Sequence, residues 1–208
     1  MYIPPAFAED RPEELQAIMQ AASLPVLISI MADAANAPRM VATHLPLTLH
    51  GDTLIGHFAK ANEHWKAFDP KAESLAIFVA ADGYVSPSWY AAKQEHGKVV
   101  PTWNYEAVHV YGRLEIISEA QDILGIVSRL TNRYETPRAH PWAVSDAPDD
   151  YIAAQLKGIV GVVLHISRIE GKRKLNQNRS KADREGVVAG LASENPRLAA
   201  VMEKTLKE

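Results

Sequence analysis

Residues 40–59 read MVATHLPLTLHGDTLIGHFA, with apolar and polar side chains alternating on both sides of a Gly-Asp pair. This period of two predicts a half-buried strand over Met40–His50 and another over Thr53–Ala59. Gly51-Asp52 between them is a signal for a tight hairpin turn. Successive parallel strands would need a helix-length crossover, for which two residues are too few. The stretch therefore predicts antiparallel pairing.

The rest of the chain predicts further strands and several helices. Apolar runs rich in β-branched residues predict strands at Leu24–Met31, Glu73–Val85, Trp103–Ser118 and Ile159–Ile169. Helical signals predict an N-terminal helix capped by Asp10, a short helix after Asn62, helices at Glu119–Glu135 and near Asp149–Lys157, and two C-terminal helices separated near Ser193–Pro196. About six strands with late helices favour an antiparallel barrel decorated by helices, in the α+β class, over a parallel sheet.

Length and composition set limits on the class of protein. The 208 residues are predicted to form one domain, with a helical C-terminal extension over about 180–208. The chain has no cysteine, which excludes disulfides, thiolate metal sites and a cysteine nucleophile. Its apolar runs are far too short to span a bilayer and its first residues lack the basic region of a secretion signal, so a cytoplasmic protein is expected. The net charge of −3 argues against broad nucleic-acid binding.

A basic segment lies late in the chain. Between Arg168 and Arg184, seven Lys and Arg residues stand against Glu170 and Asp183. One interpretation is a solvated basic turn. The others are an anion site for a ligand phosphate and a small nucleic-acid contact. The sequence leaves these alternatives open.

The eight histidines are scattered over separate elements without a metal-binding motif, so no metal site is predicted. His44 and His57 are the better candidates for a ligand contact, because the hairpin interpretation places them on adjacent strands. The alternative for each is an ordinary, partly exposed strand histidine.

The junction Gly56–Asn62 ends a strand and opens a short helix. Such a junction offers backbone N–H donors, and Lys60 and Asn62 add side-chain donors, so an anion is a natural ligand. Many strand-to-helix junctions with a lysine bind nothing. No glycine-rich phosphate loop in the sequence predicts an ATP or dinucleotide site.

Two aromatic clusters lie at Ser86–Tyr90 and Val100–Tyr105. Tryptophan is most often a core or interface residue, but a stacking wall for a planar ligand is an alternative. A surface containing Trp89, Tyr90 and Trp103 should not remain in water, and a two-fold dimer is the commonest way to cover it. The clusters therefore predict a homodimer.

Six strings, in this order, resemble the PaiB-like family of FMN-binding split-barrel proteins. They are Met1-Tyr2-Ile3-Pro4, Ala42-Thr43-His44-Leu45-Pro46, Gly56–Asn62, Ser86–Tyr90, Val100–Tyr105 and Lys174–Arg179. The resemblance covers most of the chain and implies an antiparallel split β-barrel. It also implies a homodimer with two FMN sites, each lined by both subunits.

The resemblance implies a set of cofactor-binding residues. Ala42, Thr43, His44 and Leu45 would run along the isoalloxazine edge, and Lys60, Ala61 and Asn62 would meet the phosphate, with His57 and Ala59 beside them. The partner subunit would contribute Trp103, Asn104, Tyr105, Lys174, Gln177 and Arg179. Relatives more often have arginine where Lys60 stands and serine where Asn176 stands. Lysine keeps the charge but loses the bidentate phosphate geometry.

The resemblance also implies a function. The family is associated with negative transcriptional regulation, which would require DNA contact through a surface that the sequence does not identify. The alternative is an FMN-dependent oxidoreductase that uses a nicotinamide donor on an unknown small substrate, because fold and cofactor do not determine function. No catalytic residue is predicted, since a flavin ring carries its own redox chemistry.

Overall fold

The computed structural model of the protein describes residues 1–22, 24–31 and 39–207, and these ranges contain eight strands and seven α-helices. The strands are β1 (Ala8–Glu9), β2 (Val26–Ile30), β3 (Met40–His44), β4 (Leu47–His50), β5 (Thr53–Ala59), β6 (Ser74–Val85), β7 (Thr102–Ile117) and β8 (Ile159–Lys174). The helices are α1 (Pro12–Ala21), α2 (His64–Ala67), α3 (Ala92–His96), α4 (Ala120–Glu135), α5 (Asp149–Leu156), α6 (Lys181–Glu194) and α7 (Pro196–Thr205). Short 3₁₀ turns lie at Pro5–Phe7, Pro87–Trp89 and Val144–Asp146.

The strands form one antiparallel sheet in the order β3-β2-β6-β7-β8-β5-β4, with β1 paired to β8. The hairpin predicted around Gly51-Asp52 is confirmed, because β4 pairs with β5 through His50 and Thr53. Gly51 takes φ +59°, a left-handed conformation that glycine adopts without steric cost. The antiparallel split-barrel class with helices is therefore confirmed.

The strand predicted over Met40–His50 divides into β3 and β4, with Leu45-Pro46 between them. Proline has no N–H to donate to a strand partner, so pairing stops there. β3 then pairs with β2, whereas β4 pairs with β5. The prediction that His44 and His57 lie on adjacent strands of one hairpin is wrong, because His44 lies on β3 and pairs with Val26, whereas His57 lies on β5.

Two other local predictions also differ from the structure. Helix α1 begins at Pro12 without a side-chain cap, so Asp10 does not cap it. Strand β8 continues to Lys174, beyond the predicted end at Ile169. Polar residues extend this strand because β1 pairs with its last part, at Gly171 and Lys172. Pairing with β1 therefore extends β8 through a stretch whose sequence is typical of a turn.

The chain divides into two compact units. The first unit comprises Met1–Ser23, Phe78–His109 and Glu170–Glu208, and the second comprises Leu24–Ile77 and Val110–Ile169. A single domain with a helical C-terminal extension stays a prediction. None of the helices in the described ranges is long and apolar enough to cross a membrane.

The core of the first unit covers one of the aromatic clusters. Tyr90 is 2% exposed and belongs to a cluster with residues of α6 and α7. Trp89 packs so closely on α6 that a Cβ added at Gly190 would lie 2.4 Å from its ring. Tyr90 is therefore covered by its own chain, and Trp89 is half-buried against α6, so the prediction that these two residues belong to a surface that a second subunit covers is wrong. Trp103 remains 51% exposed.

In the second unit, α4 packs against β5 and α5. The buried side chains include Leu54 and Phe58 of β5 and Ile123 and Ile126 of α4. This packing fixes β5, and so fixes the segment that leads from its end at Ala59 into α2.

Candidate ligand-binding site

The segment between β5 and α2, in the second unit, is held by backbone hydrogen bonds. The Asn62 N–H donates to the Ala59 carbonyl at 2.9 Å, which makes a tight turn. The Lys60 N–H donates to the Gly158 carbonyl at 2.8 Å, and the Trp65 indole N–H donates to the Lys60 carbonyl at 3.1 Å. The turn is therefore a fixed platform for the side chains that it carries.

Donors remain available on this turn. Lys60 is exposed, and no carboxylate pairs with its ammonium group within the described ranges. The neighbouring acid, Glu63, lies 3.8 Å from Lys66 instead. The Ala61 N–H also has no partner among the residues that the structure describes. A free cation beside a free N–H is a suitable donor set for an anion.

Strand β3 is joined to this turn by a side-chain hydrogen bond. The Asn62 amide donates to the Thr43 hydroxyl at 3.2 Å, and the Asn62 Oδ1 accepts the His64 N–H at 3.0 Å. Ala42 and His44 are exposed on either side of Thr43, and Leu45 is buried. Among the described residues β3 is the last strand at one end of the sheet, so within those residues part of its backbone has no strand partner. The predicted segments Ala42–Leu45 and Ala59–Asn62 are thus brought together.

His57 lies within β5, opposite Gly161 of β8. Burial lowers the pKa of His57, so its imidazole is neutral at pH 7. Its Nδ1 is buried and has no hydrogen-bond partner in the part of the chain that the structure describes. A buried imidazole nitrogen without a protein partner is uncommon, and such an atom is suited to a hydrogen bond with a polar ligand.

Sequence reasoning missed a buried histidine directly below the turn. His64 is 1% exposed, and both of its ring nitrogens are hydrogen-bonded to hydroxyl groups, those of Thr43 and Ser29. Burial lowers its pKa, so this imidazole is also neutral at pH 7. The one available signal was its position two residues after Asn62, and a single histidine there is not specific.

The remaining predicted residues lie in the first unit. Trp103 is exposed and its indole N–H donates to Asp82 at 2.9 Å. Asn104 is fully buried, with its amide directed to the Met202 sulfur at 3.3 Å. Tyr105 has the Lys172 ammonium 5.1 Å from its ring centroid. Asn104 therefore has a place in the core, whereas Trp103 faces solvent.

Lys174, Gln177 and Arg179 make contacts within the first unit. The Lys174 ammonium donates to the Thr102 hydroxyl and, at 2.7 Å, to the Trp103 carbonyl, and burial lowers its pKa. Gln177 accepts the Leu175 N–H at 2.8 Å and donates to the Arg173 carbonyl at 2.6 Å, which closes a turn. The Arg179 guanidinium lies 5.1 Å from the Tyr90 ring centroid.

Within this turn, Asn176 takes φ +64°, a left-handed conformation that asparagine tolerates better than most residues. Its amide donates to the Tyr90 hydroxyl at 3.2 Å. The side chains of Asn176 and Gln177 therefore maintain the turn itself. Whether the segment also contacts a ligand stays a prediction.

Part of the basic segment is buried. Arg173 is 4% exposed and lies within 3.5 Å of carboxylate oxygens of Glu9, Glu14 and Glu106. Burial raises the pKa of Glu106. Arg173 is therefore a structural ion-pair residue rather than part of a solvated basic turn. No group of His, Asp and Glu residues in the described ranges could hold a metal ion.

Comparison with known proteins agrees with the resemblance noted in the sequence. Residues 1–168 match the family described as "Putative FMN-binding domain". The chain is 32% identical over 216 residues to "Protease synthase and sporulation protein PAI 2" of Bacillus subtilis, covering 100% of this chain and 99% of that protein.

Solved structures of low identity share the fold. The FAD and heme binding protein from Mycobacterium smegmatis gives a TM-score of 0.57 at 16% identity, over 88% of this chain and 80% of that one. The flavocytochrome Anf3 from Azotobacter vinelandii gives 0.54 at 19% identity, over 80% and 68% respectively.

Proposed function

The chain belongs to the FMN-binding domain family, whose cofactor is FMN, and from this premise we propose that the turn between β5 and α2 binds the FMN phosphate. The hydrogen bond between Asn62 and Thr43 carries the proposal, because it joins the two segments expected to contact the cofactor. Ala42–Leu45 would then follow the isoalloxazine edge, beside the exposed face of β3.

The residues of the turn fit a phosphate. A phosphate monoester carries almost two negative charges at pH 7 and accepts several hydrogen bonds. Lys60 supplies a positive charge that no carboxylate of the described residues pairs with, and the Ala61 N–H supplies a backbone donor. His57 offers a further polar atom, its buried Nδ1, within the same unit. When bound, FMN supplies reversible one-electron and two-electron redox chemistry.

We also propose that the protein is a homodimer. In the first unit, four large apolar side chains are between 47% and 63% exposed, namely Val79, Tyr84, Val100 and Trp103. A second copy would cover such a surface. The family resemblance adds that Trp103–Tyr105 and Lys174–Arg179 of the partner complete the site. Since Lys174 and Gln177 are engaged in their own chain, Arg179 would be the main partner cation.

For the biological role, we propose a negative transcriptional regulator, which is the role that the family resemblance implies. The similarity to the Bacillus subtilis protein over the full chain supports membership of the same family. The second candidate is an FMN-dependent oxidoreductase with a nicotinamide donor. Fold and cofactor do not decide between the two roles. At the C-terminus, Asn195 alone separates α6 from α7. A helix-turn-helix motif has a turn of about three to four residues, so this helix pair does not match it.

The cofactor proposal is tested by titrating FMN into the purified flavin-free protein and following flavin fluorescence. FMN should be quenched and retained after desalting, and riboflavin should bind more weakly because it lacks the phosphate. A protein that leaves FMN fluorescence unchanged, with correct folding by circular dichroism, would refute the proposal.

The two roles are separated by measurements on the flavin-loaded protein. Bleaching of the flavin absorbance by NADH or NADPH under anaerobic conditions would support the oxidoreductase. Retention of specific fragments from a genomic DNA library, with a difference between flavin-loaded and flavin-free protein, would support the regulator.

A further inference from the structure

Five polar side chains of the second unit form one continuous hydrogen-bonded chain from the turn into the core. They are, in order, Asn62, Thr43, His64, Ser29 and Ser74. The Thr43 hydroxyl lies 2.9 Å from the His64 Nδ1, and the His64 Nε2 lies 2.8 Å from the Ser29 hydroxyl. The Ser29 and Ser74 hydroxyls lie 2.7 Å apart. All these distances are those of good hydrogen bonds.

The inner part of this chain is shielded from water. His64, Ser29 and Ser74 are each no more than 2% exposed, and the His64 ring lies 5.1 Å from the ring of buried Phe58. A buried polar group without a partner is costly, whereas here each of these side chains has one. The chain contains no carboxylate, so nothing within it would stabilise a protonated imidazole.

The Asn62 amide is the starting point for the directions that we assign to these bonds. The Asn62 amide donates to the Thr43 hydroxyl, and we assign the Thr43 O–H as the donor to the His64 Nδ1. A neutral imidazole that accepts at Nδ1 must carry its proton on Nε2. That N–H donates to the Ser29 hydroxyl, which in turn donates to Ser74. In this arrangement both ring nitrogens of His64 have a hydroxyl partner.

We propose that His64 is a positioning residue of the FMN site, acting as the Nε2–H tautomer. Its imidazole contacts Thr43 of the predicted ring-edge segment, and we assign it no contact with the cofactor itself. Instead it fixes the Thr43 hydroxyl, and through Thr43 it orients the Asn62 side chain. The two cofactor-contacting segments are thereby held at one spacing before the cofactor binds. This inference rests on the proposed function.

Preorganisation explains why a buried polar chain stands in a position that an apolar core could occupy. A turn that is already ordered does not lose conformational entropy when the ligand binds, so the affinity of the protein for the ligand is higher. Polar second-layer contacts of this kind hold binding groups within narrow limits. The backbone N–H of His64 adds to the effect, since it donates to the Asn62 Oδ1 at 3.0 Å.

The main test is a double-mutant cycle on FMN affinity with His64→Leu and Asn62→Ala. His64→Leu should weaken FMN binding about tenfold, a loss typical of one good hydrogen bond to the site. In the Asn62→Ala protein, His64→Leu should cause little further loss, because the residue on which it acts is gone. Additive losses would overturn the proposal.

Two controls separate positioning from general stability. Leu164→Ala removes a buried side chain of β8 and should lower the melting temperature without changing FMN affinity at 25 °C. His165→Leu removes an exposed histidine that pairs with Glu115 and should change neither property. If His64→Leu does not fold, Thr43→Val interrupts the same chain and should show the same dependence on Asn62.

A second measurement does not depend on the flavin. Nitrogen-15 NMR of the flavin-free protein should show His64 with its proton on Nε2 at pH 7. An Nδ1–H tautomer or a protonated ring would overturn the inference. Failure of the proposed function itself would look different: the wild-type protein would not bind FMN, whatever the tautomer of His64.

Discussion

Replacing Lys60 by alanine should lower the affinity for FMN about tenfold and leave the affinity for riboflavin almost unchanged. Only FMN has the phosphate that Lys60 is proposed to contact. At a separation of about 4 Å, two unit charges attract by roughly 1 kcal/mol in bulk water and about 4 kcal/mol at an effective dielectric constant of about 20. Lys60 is exposed, so the lower part of this range applies. About 1.5 kcal/mol is the lower limit for a hydrogen bond to a charged group and corresponds to about a tenfold change in affinity.

The assay is a fluorescence titration of both flavins at one fixed ionic strength, since salt screens exposed charges. Lys66→Ala is a matched control, because it removes the same charge from the same region. The Lys66 ammonium lies 5.1 Å from the Trp65 ring centroid and 3.8 Å from Glu63, so it has partners of its own. The control should bind FMN normally. Equal losses of FMN and riboflavin in Lys60→Ala would refute the reasoning and give Lys60 a structural role.

Gly190→Ala should destabilise the protein by about 1–3 kcal/mol in thermal unfolding, because the added Cβ would lie 2.4 Å from the Trp89 ring. Gly125 lies in α4 with open space around its Cβ position, so Gly125→Ala should stabilise the protein by about 0.5–1 kcal/mol. Burial lowers the pKa of His64 from about 6.5, so the unfolded state gains the proton first and the free energy of unfolding should fall as the pH drops below about 6.5. Urea unfolding at pH 7.5 and 5.5 should show this decrease, and His64→Leu should make it smaller. In sedimentation at falling protein concentration, dimer dissociation and flavin loss should coincide, and a monomer that keeps FMN would contradict a site lined by two subunits.

The parts of the fold that could be predicted are those fixed by local chemistry. The turn at Gly51-Asp52 and the bounds of β5 follow from residue types within a few positions. The break at Leu45-Pro46 was missed although proline marks it, because the alternation of side chains continues through it. The extension of β8 to Lys174 could not be predicted, since it depends on pairing with β1, more than 160 residues earlier in the chain.

In the candidate site, too, local sequence predicted some features, whereas contacts between distant residues determine others. The strings around Thr43 and Asn62 identified two segments that the structure joins by a hydrogen bond. His64 was not identified, because what makes it special is contact with Ser29, 35 residues away in sequence. A buried histidine with two hydroxyl partners has no local sequence pattern, since each partner comes from a different element. Sequence strings can therefore show which residues meet a ligand but not what holds them in place.

The polar residues near the turn are of two kinds, and the difference between them has a measurable consequence. Lys60 is exposed and unpartnered among the described residues, so its removal should reduce FMN affinity without reducing the stability of the flavin-free protein. His64 is buried and fully hydrogen-bonded, so its removal should reduce both. Lys60 thus supplies the positive charge for the phosphate, whereas His64 fixes the geometry of the turn. Comparing the melting temperatures of the two flavin-free variants separates these roles without any measurement of binding. If Lys60→Ala lowers the melting temperature as much as His64→Leu does, the assignment of separate roles to Lys60 and His64 is incorrect.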